Sequence, residues 1–515
     1  MKRLRLSRIA ATLLLVALAT LSAAQEQTLS PDITAALNRI SADSMRGHLS
    51  FIASDRLEGR DTPSRGLDIA ADYIAAQFRR AGLEPVGDDG YFQTAPFVLS
   101  ELDPSSFQLA LRFNGQEVQA VANQVSFNYR PSLNWNTDST PIVKVAFGDT
   151  AALSALTVAQ IEGKAIFTEV PDARVADRTQ TPAVQEFLSR LAMLKPSMIA
   201  SINRSSPTGT GGGPVVLAEQ GATGVPGLIR AVTVHAPEVV SMFDALPLGV
   251  TTATVSTRAR GIERPVPLRN VIGVLRGSDP VLSNSYVFLT AHYDHVGIRG
   301  NGPGDNIFNG ANDDGSGTVS VIEIASALAT LKERPKRSLV FMTVFGEEKG
   351  LLGSSYYLRH PIFPIDKTVA DINLEQVGRT DSTEGPQVNN ASVTGFDFSE
   401  VGQILVEAGK QTAIDVYKHE RNSDAYFSQS DNVALASQGV PAHSFSVAFD
   451  YPDYHRPGDH WEKIDYANMA RVDRTVALAL LMIANNPEAP KWNEANPKTA
   501  PYVRAWKERH PDSAK

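Results

Sequence analysis

The spacing of hydrophobic positions divides this chain into stretches of different character. Over residues 41–82, Leu67, Ile69, Ala70, Tyr73, Ile74 and Phe78 recur near helical spacing, which predicts two helices, the second stopped by Gly82 and Pro85. Between about 123 and 261 the pattern changes to short Val-, Ile- and Thr-rich runs broken by Gly and Pro, among them 164–170, 215–217 and 225–229, as expected of a small β-rich domain. From 268 onward strand and helix patterns alternate. Strands are expected at 271–275, 286–290, 339–345, 369–374 and 440–447, and helices at 318–331, after Gly350, at 401–408 and at 474–485. Such alternation predicts an α/β layout with a largely parallel sheet. Residues 25–122 and 262–487 then form two segments of one domain, 123–261 an insertion, and the charged, proline-containing residues 488–515 a peripheral tail.

Residues 1–24 follow another rule. Lys2, Arg3, Arg5 and Arg8 precede an apolar run from Ile9 to Leu21 and the small residues Ser22, Ala23 and Ala24. This is the pattern of a secretory signal peptide, and the run is shorter than the ~20 apolar residues of a membrane span. The expectation is export to the periplasm or beyond, with cleavage near Ala24 and no stable membrane insertion afterwards. Loss of the four cations takes the formal charge from -8 to -12, which disfavours nucleic acid and anionic membranes as partners. The 43% hydrophobic and 20% charged composition excludes a disordered chain. There is no cysteine, so disulfides, thiol nucleophiles and thiolate ligands are excluded, and any metal must be held by His, Asp and Glu.

Ligands of open α/β sheets gather beyond the carboxyl ends of the strands. Here each expected exit carries candidate ligands: His292 and Asp294; then Asn312, Asp313 and Asp314 among glycines; Glu347 and Glu348; Glu375; and Tyr454 with His455. Taken singly these are ordinary turn residues, but together at one sheet edge they point to a metal centre. Two imidazoles with several carboxylates suit zinc, with cobalt or manganese as substitutes. Two ions sharing a carboxylate can activate water and polarise a carbonyl, and Asp313, short and set in a tight loop, suits the shared position. A general base must stay off the metal. The adjacent Glu347 and Glu348 point different ways, so one can ligate while the other takes a proton; spacing leaves open which does which.

The stretches HLSFIASDRLEGR (48–60), AHYDHVG (291–297), NGANDDGSG (309–317), GEEKGLLGS (346–354), INLEQVGR (372–379) and DYHRP (453–457) resemble, in order and spacing, the zinc aminopeptidases of the M28 peptidase family. The resemblance covers most of residues 41–485. It implies a three-layer αβα domain with two zinc ions, one held by His292, Asp313 and Glu375 and the other by Asp313, Glu348 and His455. It further implies Glu347 as general base, Tyr454 as hydrogen-bond donor to the developing oxyanion, and Asp294 as the group orienting the His292 ring. Peptides with a free N-terminus are the implied substrates. One departure is Glu375, where the family commonly has Asp; the charge is kept. Asp371 is the rival ligand on that strand but lies near its start. Residues 162–167 and 221–225 resemble a protease-associated domain, which would lid the active site, steer substrates or act as a spacer.

Of the other histidines, His295 is expected to be a loop residue, His443 a core or supporting group, and His360, His419 and His460 surface residues. Rival functions are a carboxypeptidase or dipeptidase, which would need a basic cluster at the pocket; a receptor-like protein without catalysis; and a one-zinc glutaminyl cyclase.

Overall fold

Strands buried on both faces build the centre of the fold, which is why their sequences run apolar without alternation. The computed structural model describes residues 29–127, 134–170, 181–206, 208–209, 216–221, 230–300 and 302–511. The expected signal peptide and the 225–229 strand lie outside the described residues. The chain forms two compact units, one comprising the chain up to Thr94 and from Arg269 onward, the other Ala95–Leu268.

The first unit is a mostly parallel α/β sheet. Its strands are β1 (Glu84–Pro85), β2 (Gly249–Leu275, from Arg269 on), β3 (Tyr286–His292), β4 (Ser338–Val344), β5 (Thr368–Leu374), β6 (Asn390–Val393), β7 (Asp415–Tyr417) and β8 (Ala442–Ser446). Pairing gives the order β1-β2-β4-β3-β5-β8-β6-β7. The central β4, β3, β5 and β8 are parallel, and the register sets His292 beside Val344, Leu289 beside Ile372, and Ile372 beside His443. The carboxyl ends of these four strands therefore stand level at one edge.

Helices cover both faces of this sheet. The helices Ala42–Ile52, Gly317–Leu328 and Tyr466–Asn485 pack together on one side. On the other, Phe288, Val340 and Met342 share a buried cluster with Tyr357, Leu435 and Trp492. Ser41 and Ser64 cap the Ala42–Ile52 and Arg65–Ala81 helices through their side chains, and Gly82 ends the second at φ 75, as its position after the periodic run predicts.

Four expectations are corrected. The closing helix begins at Tyr466 rather than 474: Asp465 caps it by accepting from the Asn468 amide, and Met469, Ala470 and Val472 are already buried. The short strands β6 and β7 were not anticipated, because three or four residues carry too little periodicity to read. Of the expected tail, residues 488–511 are not peripheral: Trp492 is buried, donates from Nε1 to Gly439 O at 2.7 Å, and stacks on Tyr502 of the Ala500–Arg509 helix. Its prolines and charges hide a few well-placed aromatics. Finally, the inserted unit starts at Ala95, not at 123. The hairpin Gln108–Phe113/Gln116–Val121 pairs with the Thr254–Arg258 segment, and Leu109, Leu111 and Ala120 join Trp135, Phe167 and Val255 in one core. That pairing spans more than a hundred residues and leaves no local mark.

The Ala95–Leu268 unit also contains parallel strands, Asn134–Ala146, Ala165–Glu169, Met198–Ile202 and Arg230–Val234, together with the helices Thr181–Met193 and Pro237–Ala245. Among the described residues no helix is long and apolar enough to cross a membrane.

Candidate metal centre

Each parallel strand of the first unit delivers polar groups to the same edge. His292 is the last residue of β3 and is fully buried. Glu347 and Glu348 follow β4, Glu375 follows β5, and His455 stands in the loop beyond β8. Asp313 lies in the turn that opens the Gly317–Leu328 helix. That turn is fastened from outside: Asp459 Oδ2 accepts from the amides of Asn312 (2.9 Å) and Asp313 (3.2 Å) and from the Tyr451 hydroxyl (3.0 Å).

These side chains converge into two donor clusters that share Asp313. In one, His292 Nε2 lies 3.3 Å from Asp313 Oδ1 and 3.8 Å from Glu375 Oε1. In the other, His455 Nε2 lies 3.0 Å from Asp313 Oδ2 and 3.1 Å from Glu348 Oε1. His295 joins the second cluster. Read from the sequence as a loop residue, it is fully buried, with Nδ1 2.9 Å from Glu348 Oε1. Asp371, the rival ligand, is in neither cluster; it accepts from Thr290 Oγ1 at 3.0 Å inside the sheet.

Asp294 sits where a ring-orienting group must. It approaches His292 Nδ1 through both its backbone oxygen (3.2 Å) and Oδ1 (3.5 Å), while the Glu347 amide (3.1 Å) and Thr62 Oγ1 (3.1 Å) donate to its carboxylate. His443 is a core residue: it pairs with Ser399 Oγ (2.6 Å) and Thr394 O (2.8 Å). His360 is exposed, while His419 and His460 are half-buried.

The electrostatics of the edge call for added positive charge. Burial alone would lower the pKa of His292, but Asp294, Asp313 and Glu375 outweigh it and hold the imidazole well above its ordinary value. Hydrogen bonds to Asp313 and Glu348 push His455 up to about 10. Loss of hydration, with Glu375, Asp431 and Asp313 nearby, raises Glu347 well above the carboxylate range against the opposing pull of His292. Meanwhile His292 Nε2, both ring nitrogens of His295 and Glu348 Oε1 are buried without a hydrogen-bond partner. A tetrahedral zinc with bonds of ~2.0–2.1 Å has donor atoms about 3.3 Å apart. The observed separations of 2.9, 3.0, 3.1, 3.3 and 3.8 Å bracket that value. The donors present fit zinc.

A pocket of about 210 Å³ opens beside the clusters, lined by Asp313, Glu347, Glu375, Tyr426, Asp450 and Tyr454 among others. Tyr454 is 42% exposed and stacks on the His455 ring at 4.1 Å. His455 itself adopts φ 51, a left-handed conformation that turns its side chain back to Asp313.

Sequence reasoning missed three supporting groups. Ser430 Oγ donates to Glu375 Oε2. Asp459 reads as a turn residue after Gly458, and its link to Asp313 spans a separation no local pattern covers. Arg60 is fully buried and donates to four carbonyl oxygens: Tyr293 (2.8 Å), Ile52 (2.7 Å), Asn309 (2.7 Å) and Gly310 (2.9 Å). It thereby ties the loop after β3 to the loop before Asp313. A signal existed in an arginine closing the 48–60 stretch, ahead of any helix it could serve.

Residues 270–480 match the model of peptidase family M28. That stretch resembles an M28 peptidase domain. The domain is similar to Aminopeptidase YwaD of Bacillus subtilis (strain 168), 26% identical over 230 residues, or 43% of this chain and 46% of that protein. It is also similar to a probable zinc metalloprotease of Pyrenophora tritici-repentis (strain Pt-1C-BFP), 37% identical over 165 residues, 30% of this chain and 28% of that protein. The chain thus spans less than half the length of these two relatives. The M28 fold is seen as well in a solved aminopeptidase from Aneurinibacillus sp. strain AM-1, with TM-score 0.51 and 19% identity, covering 89% of this chain and 97% of that one.

Proposed function

We propose that the protein is an exported two-zinc aminopeptidase that removes the N-terminal residue of peptides. Two donor clusters sharing one carboxylate carry the reading, and the names of the relatives, aminopeptidase and zinc metalloprotease, agree with it. Export is supported by the basic-then-apolar pattern of residues 1–24. His292, Asp313 and Glu375 would hold one zinc, and Asp313, Glu348 and His455 the other. Zinc bound there would supply Lewis acidity, polarising the scissile carbonyl and easing the ionisation of water.

The chain's own groups do the rest. Glu347 is half-buried at the pocket, and the neighbours that raise its proton affinity suit it to take the proton of the attacking water. It then delivers that proton to the nitrogen of the leaving amine. The Tyr454 hydroxyl, on the pocket wall, donates to the carbonyl oxygen as negative charge develops. Asp294 keeps the His292 ring turned so that Nε2 faces Asp313. The pocket of about 210 Å³ leaves room for one amino-acid side chain. Its lining includes Asp313, Glu347, Glu375 and Asp450 but no Lys or Arg, which favours a substrate's α-ammonium over an α-carboxylate and weighs against a carboxypeptidase.

The test is hydrolysis of leucine-, alanine-, lysine- and glutamate-p-nitroanilide by the zinc-loaded protein. Release of p-nitroaniline is expected, with kcat falling ~10²–10⁴-fold in Glu347→Gln while zinc content is unchanged. Cleavage of N-acetylated or C-terminal substrates in preference to free-amine ones would overturn the aminopeptidase reading.

A further inference from the structure

The two clusters that share Asp313 are not equal. One offers three protein donors, His292, Asp313 and Glu375; the other offers four, His295, Asp313, Glu348 and His455. We propose that His295 is a fourth protein ligand of the second metal position, making it a closed, tight-binding site, while the three-donor position keeps the open corner. The inference rests on the two-metal reading above.

Three observations carry it. His295 Nδ1 lies 2.9 Å from Glu348 Oε1 and 3.9 Å from Asp313 Oδ2, distances that straddle the ~3.3 Å edge of a zinc tetrahedron. Its ring stands edge-on to that of His455, with centroids 5.4 Å apart, so two imidazoles flank the same pair of carboxylates. Both its ring nitrogens are buried without a well-aligned hydrogen bond among the described residues, the short Nδ1–Glu348 Oε1 approach included, a costly arrangement unless a further group satisfies them.

The backbone also accommodates this ring. Gly310, at φ 56, passes so close that a Cβ there would come within 2.4 Å of His295 Cγ. Protein sites closed by four ligands hold metal for structure, whereas sites with three ligands leave a position for water or substrate. The closed position is therefore expected to fill first and exchange slowly. The His292 position, facing the Glu347 and Glu375 wall, is expected to fill second and exchange readily.

The experiment is a cobalt titration of the chelator-stripped full chain, followed by visible absorption and calorimetry, with His295→Ala, His295→Asn and His292→Ala. The unaltered protein is expected to bind two equivalents in two steps. The first should show the intense visible bands of four-coordinate cobalt, a readout that needs no variant to fold. Both His295 variants should weaken the first step by about a hundredfold or more, beyond the ~10–100-fold that losing a ligand's hydrogen-bond partner costs. His292→Ala should weaken only the second.

His295→Asn keeps an amide that can donate to Glu348. Retained affinity in that variant alone would make His295 a positioning residue and overturn the proposal, as would weak bands at the first step. Binding of a single equivalent by the unaltered chain would instead overturn the two-metal reading. The role of His295 would then be decided by whether His295→Ala or His292→Ala removes that metal.

Discussion

Both units of this protein contain parallel strands, and both collect acidic groups where those strands end, yet among the described residues only one brings them together with imidazoles in clusters that could hold a metal. In the Ala95–Leu268 unit, Glu169 ends one strand, Arg204 follows the next, and Asp244 lies on a flanking helix. Arg204 donates to Glu169 at 2.7 and 3.1 Å and to Asp244 at 2.9 Å, and all three side chains are substantially exposed. In the first unit the acids are buried or half-buried and face imidazoles. The buried arginine nearby, Arg60, is committed to backbone carbonyls, and among the described residues no Lys or Arg lines the pocket. Strand topology gathers polar groups in both places. Burial without an internal cation is what makes one of the collections suited to holding metal.

The sharpest way to break the contrast is to remove the carboxylate that both clusters share. Asp313→Asn should lower metal content toward background and activity by ~10⁴-fold or more, read by elemental analysis and p-nitroanilide hydrolysis. Two tightly bound metals in that variant would show that Asp313 bridges nothing.

Arg60→Met tests whether the buried arginine is scaffold rather than site. It removes the side-chain donors of four carbonyls, of which Gly310 O keeps the Gly315 amide. At ~1 kcal/mol each, the expected loss is about 4 kcal/mol, seen as a fall of ~6 °C in melting temperature of the metal-free protein. An unchanged melt would mean the loops hold without it.

Asp371 sharpens the comparison on the pH axis, being a buried carboxylate of the same sheet that lies away from the clusters. Burial pushes it up to about 8 from its ordinary 3.8. The folded protein therefore keeps a proton that the unfolded chain releases between these values. Stability should fall as pH rises from about 4 toward about 8. Asp371→Asn removes this dependence, so its melting temperature should drop less between pH 5 and pH 8 than that of the unaltered protein, by a few degrees. Parallel pH profiles would refute the assignment.

Smallest of all, Arg204→Ala breaks an exposed ion-pair cluster and should cost no more than ~1 kcal/mol in urea unfolding, with peptide hydrolysis unchanged. A large loss of either would mean the two units are less different than their strand ends suggest.

Much of the first unit was legible because its central strands are long, apolar and followed at once by ligands. His292, Asp313, Glu348, Glu375 and His455 could be nominated from strand exits and motif order, and the structure brings all five together. What escaped notice depended on separation along the chain. Asp459 holds the Asp313 turn from 146 residues away. The hairpin at 108–121 belongs with the core of the insertion rather than with its sequence neighbours, and Trp492 and Tyr502 pack under a segment that composition marks as tail.

The residue sequence by itself determined the period of each strand and helix, the absence of thiol chemistry, and the kind of atom available to a metal. These depend on side chains close together in the chain. Tertiary structure alone decided that His295 lies beside Glu348 while Asp371 does not reach the clusters, and that Asp313 presents one oxygen to each. Register between parallel strands and burial of the loops beyond them set those distances, and neither is written in any local stretch of sequence.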